Sequence, residues 1–378
     1  MTRFLTIEKM PELVGKRVLL RVDFNVPVVQ GRVLDDFRIR RVIPTIHYLA
    51  RKGAQILLVS HIGRSDNTTL VPVYEYLKKQ FPIVFLKSFF DERATQVLHN
   101  LENGSLVLFE NVRHDKGEER NDPAFGEKLA SIADYYVNEA FSVSHRAHAS
   151  IVGVPQHLPS FAGLLFDEEV KNLSRAFDPE HPFVFILGGA KFETKLPLVQ
   201  KFLSTADSVF VGGALANDLF KVHGFEVGKS LLSEFSHNDE LSHLLENKGL
   251  HLPTDVIVKR GEKTVTTLPH EILPDDYIVD AGEKTLEQLS RLTASAKFIL
   301  WNGPLGNYEN GFKEGTHALA RIVGKSNGAT IIGGGDTLAA IAELGIGSKF
   351  SFVSTGGGAM LDFLAHNSIP GVDALSRA

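Results

Sequence analysis

Apolar residues in the first half of the chain come in short continuous runs that end on polar residues: RVLLRVDFN at 17–25, QILLVSHIGR at 55–64, SLVLFENVR at 105–113 and YYVNEAF at 135–141. Helix-like segments such as 41–52 lie between them. Continuous rather than alternating apolar runs, separated by helices, predict a parallel sheet covered on both faces. In such sheets ligands bind beyond the carboxyl ends of the strands, where these polar residues fall.

The second half repeats the pattern with glycine at the strand ends: FVFILGGAK at 183–191, SVFVGGA at 208–214, KFILWNGP at 297–304, TIIGGGDT at 330–337 and FSFVSTGGGA at 350–359. Glycine at five strand ends predicts a shared crevice where backbone approaches a ligand closely. Between the halves, 161–178 sets Val170, Leu173 and Phe177 at helical spacing and stops at Asp178-Pro179. That predicts a helix joining two sheets.

One stretch, ILGGAKFETK at 186–195, places Lys191 and Lys195 four residues apart after two glycines. Pro197 is tolerated only in a helix's first turn, so a helix is expected to start near Thr194. Lys195 then stands where free N–H groups and the helix dipole favour phosphate. The plainer alternative is a solvated lysine pair after a tight turn.

At 378 residues the chain is too long for one ordinary core, which suggests at least two domains. Hydrophobic residues make up 43%, enough for large cores. No apolar run reaches the length of a membrane span, and Glu8 and Lys9 interrupt any secretory signal, so a cytoplasmic location is expected. The absence of cysteine excludes disulfides, thiolate metal sites and cysteine nucleophiles. A net charge of -5 argues against general nucleic-acid binding. Residues 1–160 carry 21 Lys and Arg against 18 Asp and Glu, leaving 19 against 27 for the remainder, so the first half is the better host for an anion.

Familiar motifs mostly fail. No G-x-G-x-x-G follows any of these strands, which weakens a nicotinamide dehydrogenase reading. GFEVGKS at 224–230 is one residue short of a P-loop, and the shortened loop would misaim its N–H groups. In HRAH at 145–148 the paired histidines lack a third ligand, and Arg146 between them repels a cation. The arginine is the more useful member. Arg21, Asp23, Asn25, Arg38, His61, Arg64, Arg113 and Arg146 all fall at or just beyond strand ends. Converging guanidinium forks suit a small, multiply anionic metabolite. In the second half Asp336 could cap a helix or hold magnesium on nucleotide phosphates, and Glu309 could accept from ribose hydroxyls.

Together RVDFNVP at 21–27, DDFRIR at 35–40, HIGR at 61–64, FENVR with GEERND within 109–122, HRAHAS at 145–150, GGAK with Lys195, WNGPLG with Glu309, GGGDT and STGGGA resemble the phosphoglycerate kinase family, in its order and over nearly the whole chain. The resemblance implies an α/β protein of two doubly wound, Rossmann-like parallel-sheet domains. Residues 1–160, with a tail at about 369–378 packing back on them, would bind 3-phosphoglycerate. A helix at 161–178 would lead to a magnesium-nucleotide domain at 179–368, with a cleft and hinge between the two.

The implied reaction is reversible phosphoryl transfer between ATP and the substrate carboxylate, giving 1,3-bisphosphoglycerate and ADP. By resemblance Asp23, Asn25, Arg38, His61, Arg64, Arg113 and Arg146 hold phosphoglycerate. Lys191, Lys195, Asn302, Glu309, Gly334, Gly335, Asp336 and Thr337 hold the nucleotide, and Asp336 the magnesium. Arg38, Lys195, Gly357 and Gly358 serve the moving phosphoryl. A monomer that closes about 161–178 and Ser354-Thr355 is implied. Three stretches depart from the family's pattern: Ser65 with a shortened loop to Leu70, Ser142 to Ser144 in place of Gly-Thr-Ala, and Gly282-Glu283 in place of Gly-Pro. The contending class is a two-domain binding protein that closes on an anionic metabolite without reacting.

Overall fold

The computed structural model describes residues 4–63, 67–233 and 238–377. Arg64 and Ser65 lie outside the described residues. The chain divides into two compact units, Met1–Lys171 with His366–Ala378, and Asn172–Ala365.

The first unit is built on a six-stranded, all-parallel sheet in the spatial order Ile83–Leu86, Leu106–Phe109, Gln55–Val59, Arg17–Arg21, Tyr135–Asn138, Ser160–Ala162. The interiors of its central strands are continuously apolar because both faces are covered: Val18, Leu19 and Leu20 are all fully buried. On one face Val18, Leu20, Ile56 and Leu58 pack with Ile39, Val42, Ile46 and Leu49 of the helix Phe37–Arg51. That helix starts four residues earlier than the apolar pattern suggests. Pro44 lies well inside it, where it withholds one N–H from the ladder. The earlier start sets Arg38 in the first turn. From Arg17–Arg21 the chain first adds strands on the side of Gln55–Val59 and later returns to add Tyr135–Asn138 on the other side, so the carboxyl end of Arg17–Arg21 is a topological switch point.

The helix predicted at 161–178 is shorter than expected. Phe161 and Ala162 belong to the strand Ser160–Ala162, paired with Val137 and Asn138, and the α-helix is Leu164–Ser174 followed by a 3-10 turn, Arg175–Phe177. Gly163 is the break: a side chain there would stand 2.0 Å from a Glu139 carboxylate oxygen. The terminal helix Pro370–Arg377 packs on the first unit, where Gly371 N–H donates to Ser144 O at 2.8 Å.

The second unit has its own six-stranded parallel sheet, ordered Leu250–His251, Ser208–Val211, Phe183–Leu187, Phe298–Asn302, Ala329–Gly333, Phe352–Val353. Its switch point falls between Phe183–Leu187 and Phe298–Asn302. The core on one face gathers Ile186, Phe210, Trp301 and Ile332 with Leu289 and Leu319 from covering helices. A separate antiparallel sheet, Lys263–Thr267, Val256–Arg260, Tyr277–Ala281, does not show in the continuous-run pattern. Among the described residues no helix is long and apolar enough to cross a membrane.

Candidate active site

At the switch point of the first unit, residues from three strand ends and from the helix Phe37–Arg51 meet around Asp23. Its Oδ2 accepts from Arg38 Nη1 at 2.8 Å and from the Ser142 hydroxyl, and its Oδ1 accepts from Asn25 N–H at 3.0 Å. Burial raises the Asp23 pKa, but Arg38, His61 and these hydrogen bonds outweigh it and hold the carboxyl below its ordinary value. His61 Nδ1 lies 3.7 Å from Asp23 Oδ1. Burial drives the His61 pKa down to about 3; Asp23 opposes, while Arg21, Arg113 and Arg146 add to the fall. The imidazole is therefore neutral, and the contact with Asp23 is not an ion pair.

Gly63 joins two more of the predicted residues. Its N–H donates to Asn25 Oδ1 at 2.9 Å and its carbonyl accepts from Arg113 Nη1 at 2.7 Å. Its φ of 66° and a Cβ position 2.5 Å from Thr68 Cγ2 leave room only for glycine. Arg113 is carried on a 3-10 turn, Val112–His114, capped by the Asn111 side chain, and its Nε lies 3.1 Å from Glu119 Oε1. Arg146 is exposed and donates through Nε to His145 Nε2 at 3.2 Å. Asp23, Asn25, Arg38, His61, Arg113 and Arg146 are thus brought together. Arg21 is different: it is fully buried, donates to Ser150 Oγ at 2.8 Å, and belongs to a layer with Glu118, which accepts from Ser150 N–H and Oγ.

In the second unit, Lys195 immediately precedes the helix Leu196–Leu203, after a 3-10 turn Phe192–Thr194, so the helix starts where Pro197 predicts. Lys195 Nζ donates to Gly188 O and Ala190 O. Burial lowers its pKa to about 8; Asp336 opposes and Lys191 adds. Lys191 is exposed, with a left-handed φ of 66°. Asp336 sits in the first turn of Gly335–Leu344, its carboxyl raised by burial and by Glu309, with Lys195 opposing. Lys191, Lys195, Glu309 and Asp336 therefore share one electrostatic neighbourhood.

Asn302 and Thr337 are buried beneath this surface. Thr337 Oγ1 accepts from Gly303 N–H at 3.1 Å, and Asn302 Nδ2 packs 3.7 Å from Met360 Sδ. Both brace the Gly334 turn. The expectation that all the strand-end glycines face a ligand needs correction. Cβ atoms at Gly188, Gly213 and Gly303 would stand 2.2, 2.6 and 2.4 Å from backbone atoms of Pro304, Gly189 and Gly188, so these glycines let neighbouring strand ends pack. Gly335 and Gly357 have no heavy atom within 4 Å of a Cβ position. Gly357, at φ 53°, leads into the helix Gly358–His366, whose first N–H groups are free of helix partners.

Sequence reasoning missed a hollow lined by Gly212, Asn217, Pro253, Ile278 and Leu305, where Asn217 Oδ1 is buried without a hydrogen bond. No motif marks it, since its walls come from four separated stretches. Among the described residues no group of three or more His, Cys, Asp or Glu could hold a metal ion by itself. A single carboxylate, Asp336, at a helix N-terminus suits magnesium that takes its other oxygens from nucleotide phosphates and water. At the Gly282-Glu283 departure the helix start is satisfied: Asp255 accepts from the N–H groups of Lys284 and Thr285, and Glu283 puts negative charge in the helix's first turn.

The sequence matches the family described as phosphoglycerate kinase over residues 7–367. It is 42% identical over 381 residues to the phosphoglycerate kinase of Dictyoglomus turgidum, covering 96% of each chain. To that of Moorella thermoacetica it is 40% identical, covering 97% of this chain and 98% of the relative. Among solved structures it is similar to phosphoglycerate kinase from Coxiella burnetii, with a TM-score of 0.85, 36% identity and 99% of both chains covered. The enzyme from Pyrococcus horikoshii gives a TM-score of 0.86 at 30% identity and 98% of both chains.

Proposed function

This chain belongs to the phosphoglycerate kinase family and is a glycolytic phosphotransferase, and from that premise we propose how its residues divide the reaction. Asp23, Asn25, Arg38, His61, Arg64, Arg113 and Arg146 bind 3-phosphoglycerate. Lys191, Lys195, Glu309 and the Gly334–Thr337 turn, braced by Asn302, bind ATP.

Transfer is direct. A carboxylate oxygen of 3-phosphoglycerate forms a bond to the γ-phosphorus while the bond from that phosphorus to the β,γ-bridging oxygen breaks, leaving ADP. The attacking group is already ionised, so no general base is required. Positive charge and N–H donors are required instead, because negative charge spreads over the equatorial oxygens. Lys195, Arg38 and the N–H groups of Gly357 and Gly358 supply them. Asp336 would hold the magnesium that accompanies the nucleotide, and the ion would supply neutralisation of phosphate charge.

One observation carries this assignment: two strand-end clusters of different chemistry, arginines around a neutral His61 in one unit and a lysine–carboxylate set in the other. Substrates divided between two units must be brought together, so we infer hinge closure about 161–178 and Ser354-Thr355. We also infer a cytoplasmic monomer, in keeping with the cysteine-free chain; light scattering at the chain mass of 41.6 kDa tests the monomer.

Steady-state assays of ATP consumption dependent on 3-phosphoglycerate test the division. Arg38→Ala is expected to raise KM for 3-phosphoglycerate, and Asp336→Asn to raise KM for magnesium ATP, each with little effect on the other substrate. The reverse pattern would overturn the assignment. Binding of 3-phosphoglycerate without turnover would favour the non-catalytic reading.

A further inference from the structure

The stretch 142–144 departs from the family's usual Gly-Thr-Ala, and a glycine at 142 supplies no side-chain hydrogen-bond donor. Ser142 lies in the 3-10 turn Phe141–Val143 and is nearly buried. Its hydroxyl donates to Asp23 Oδ2, a partner 119 residues away in sequence.

We propose that Ser142 is a positioning residue of the substrate site, fixing the Asp23 carboxylate in the orientation that receives the hydroxyl of 3-phosphoglycerate. The inference rests on Asp23 binding that substrate. An ionised carboxylate can only accept, and on a substrate whose phosphate and carboxylate are anionic the hydroxyl is the one donor it can meet. Asp23 Oδ2 has two donors, Arg38 Nη1 and the Ser142 hydroxyl. Oδ1 has one, the Asn25 N–H. The acceptor capacity left over is therefore on Oδ1, on the side of His61.

The terminal torsion of an aspartate is broad, so with one donor on each oxygen the carboxylate plane can swing over a wide range. Ser142, as a second donor on the oxygen that Arg38 also holds, narrows that range. The same hydrogen bond helps hold Asp23 ionised. The other groups facing Asp23 are Arg38, from the helix Phe37–Arg51, and His61, with Arg21, Arg113 and Arg146 beyond it. Burial drives His61 down to about 3, into the same acid range, so the contribution of Asp23 is read as the difference between the wild-type and Ser142→Ala limbs.

The test uses wild type, Ser142→Ala, Ser142→Gly and Ser142→Thr. Ser142→Ala and Ser142→Gly are expected to raise KM for 3-phosphoglycerate about tenfold, as loss of a hydrogen bond to a charged group does, and to leave KM for ATP unchanged. They also move the acid limb of kcat/KM to higher pH, and Ser142→Thr, which keeps the hydroxyl, restores both. Wild-type values in Ser142→Ala, or equal losses for both substrates, overturn the proposal.

Equilibrium unfolding separates this from the choice of substrate. A depressed carboxyl contributes stability that is lost as pH falls through its folded pKa, so wild type keeps stability to lower pH than Ser142→Ala. Identical profiles overturn the positioning role. Absence of 3-phosphoglycerate-dependent turnover in wild type defeats the substrate reading by itself, whatever the unfolding shows.

Discussion

Lys195 Nζ donates to the Ala190 carbonyl at 2.9 Å, so the ammonium assigned to the moving phosphoryl is held by its own glycine loop. Two neutral carbonyls and Asp336 do not offset its burial, and its pKa falls from 10.5 to about 8. Activity that needs the charged amine therefore declines as pH rises through about 8. The limb is expected in kcat/KM for magnesium ATP, which reports the free enzyme, and at higher pH in kcat, where bound phosphate stabilises the charge. Lys195→Met removes the limb and lowers kcat by roughly 100- to 1000-fold, about 3 kcal/mol. Unchanged kcat with a raised KM would sink the assignment. Stability runs the other way: between about 8 and 10.5 the unfolded chain holds the proton more tightly, so stability rises with pH there, and the variant lacks that slope.

His61 gives a prediction of silence. Its imidazole is 2% exposed and its pKa is pushed down to about 3, chiefly by burial, with Asp23 opposing and three arginines adding. NMR titration is expected to show no His61 inflection above about pH 5. Substrate affinity in that range then varies with the ionisation of the phosphate, not of this residue. An inflection near the ordinary 6.5 would mean that Asp23 outweighs burial.

The strand ends and most of these residues were legible because buried parallel strands are continuous apolar runs, and whatever follows them stands at the ligand-binding edge. The antiparallel sheet was not, because Val256–Arg260 and Lys263–Thr267 are half-exposed, and KTVTT has no apolar run. Contacts across the fold were also hidden. Nothing near Ser142 in sequence announces Asp23, and nothing near Gly63 announces that its carbonyl will hold Arg113. The glycines were legible as a group but not in their roles: Gly188 and Gly303 meet each other, while Gly335 and Gly357 face open space.

Glu139 should set the stability of the helix that joins the two sequence halves. Its carboxylate accepts from Leu165 N–H at 3.0 Å, Phe166 N–H at 3.1 Å and the Thr45 hydroxyl. Glu139→Ala leaves these donors unpaired in a buried site and is expected to cost about 3 kcal/mol, read by denaturant unfolding. Burial raises the Glu139 pKa from 4.5 to about 7 despite those donors. Between those values the folded chain keeps a proton that the unfolded chain has lost, so this contribution falls as pH rises through that window, and the variant lacks the slope.

Closure is tested by small-angle scattering. With 3-phosphoglycerate and magnesium ATP both bound, the radius of gyration is expected to fall below that with either ligand alone. Equal radii in all three states would count against the hinge reading.

The last prediction concerns Lys201, which stands in the last turn of the helix that begins directly after Lys195. Its Nζ donates to Leu364 O and, at 3.3 Å, to Ala365 O, at the C-terminal end of Gly358–His366. A cation is favoured there because the last carbonyls of a helix lack partners and carry the negative end of its dipole. One rigid helix thus carries Lys195 at its start and grips, at its end, the helix whose first N–H groups are assigned to the same phosphoryl. Lys201→Met keeps an apolar side chain but loses the ammonium, which also lies 4.7 Å over the Phe177 ring. It is expected to cost about 1 kcal/mol of stability and to lower kcat roughly tenfold, with KM for ATP changed less than about twofold. The split matters, because general destabilisation would lower the folded fraction without altering kcat per folded molecule. A lower melting temperature with wild-type kcat would reduce Lys201 to a helix cap and separate the two halves of the phosphoryl site mechanically.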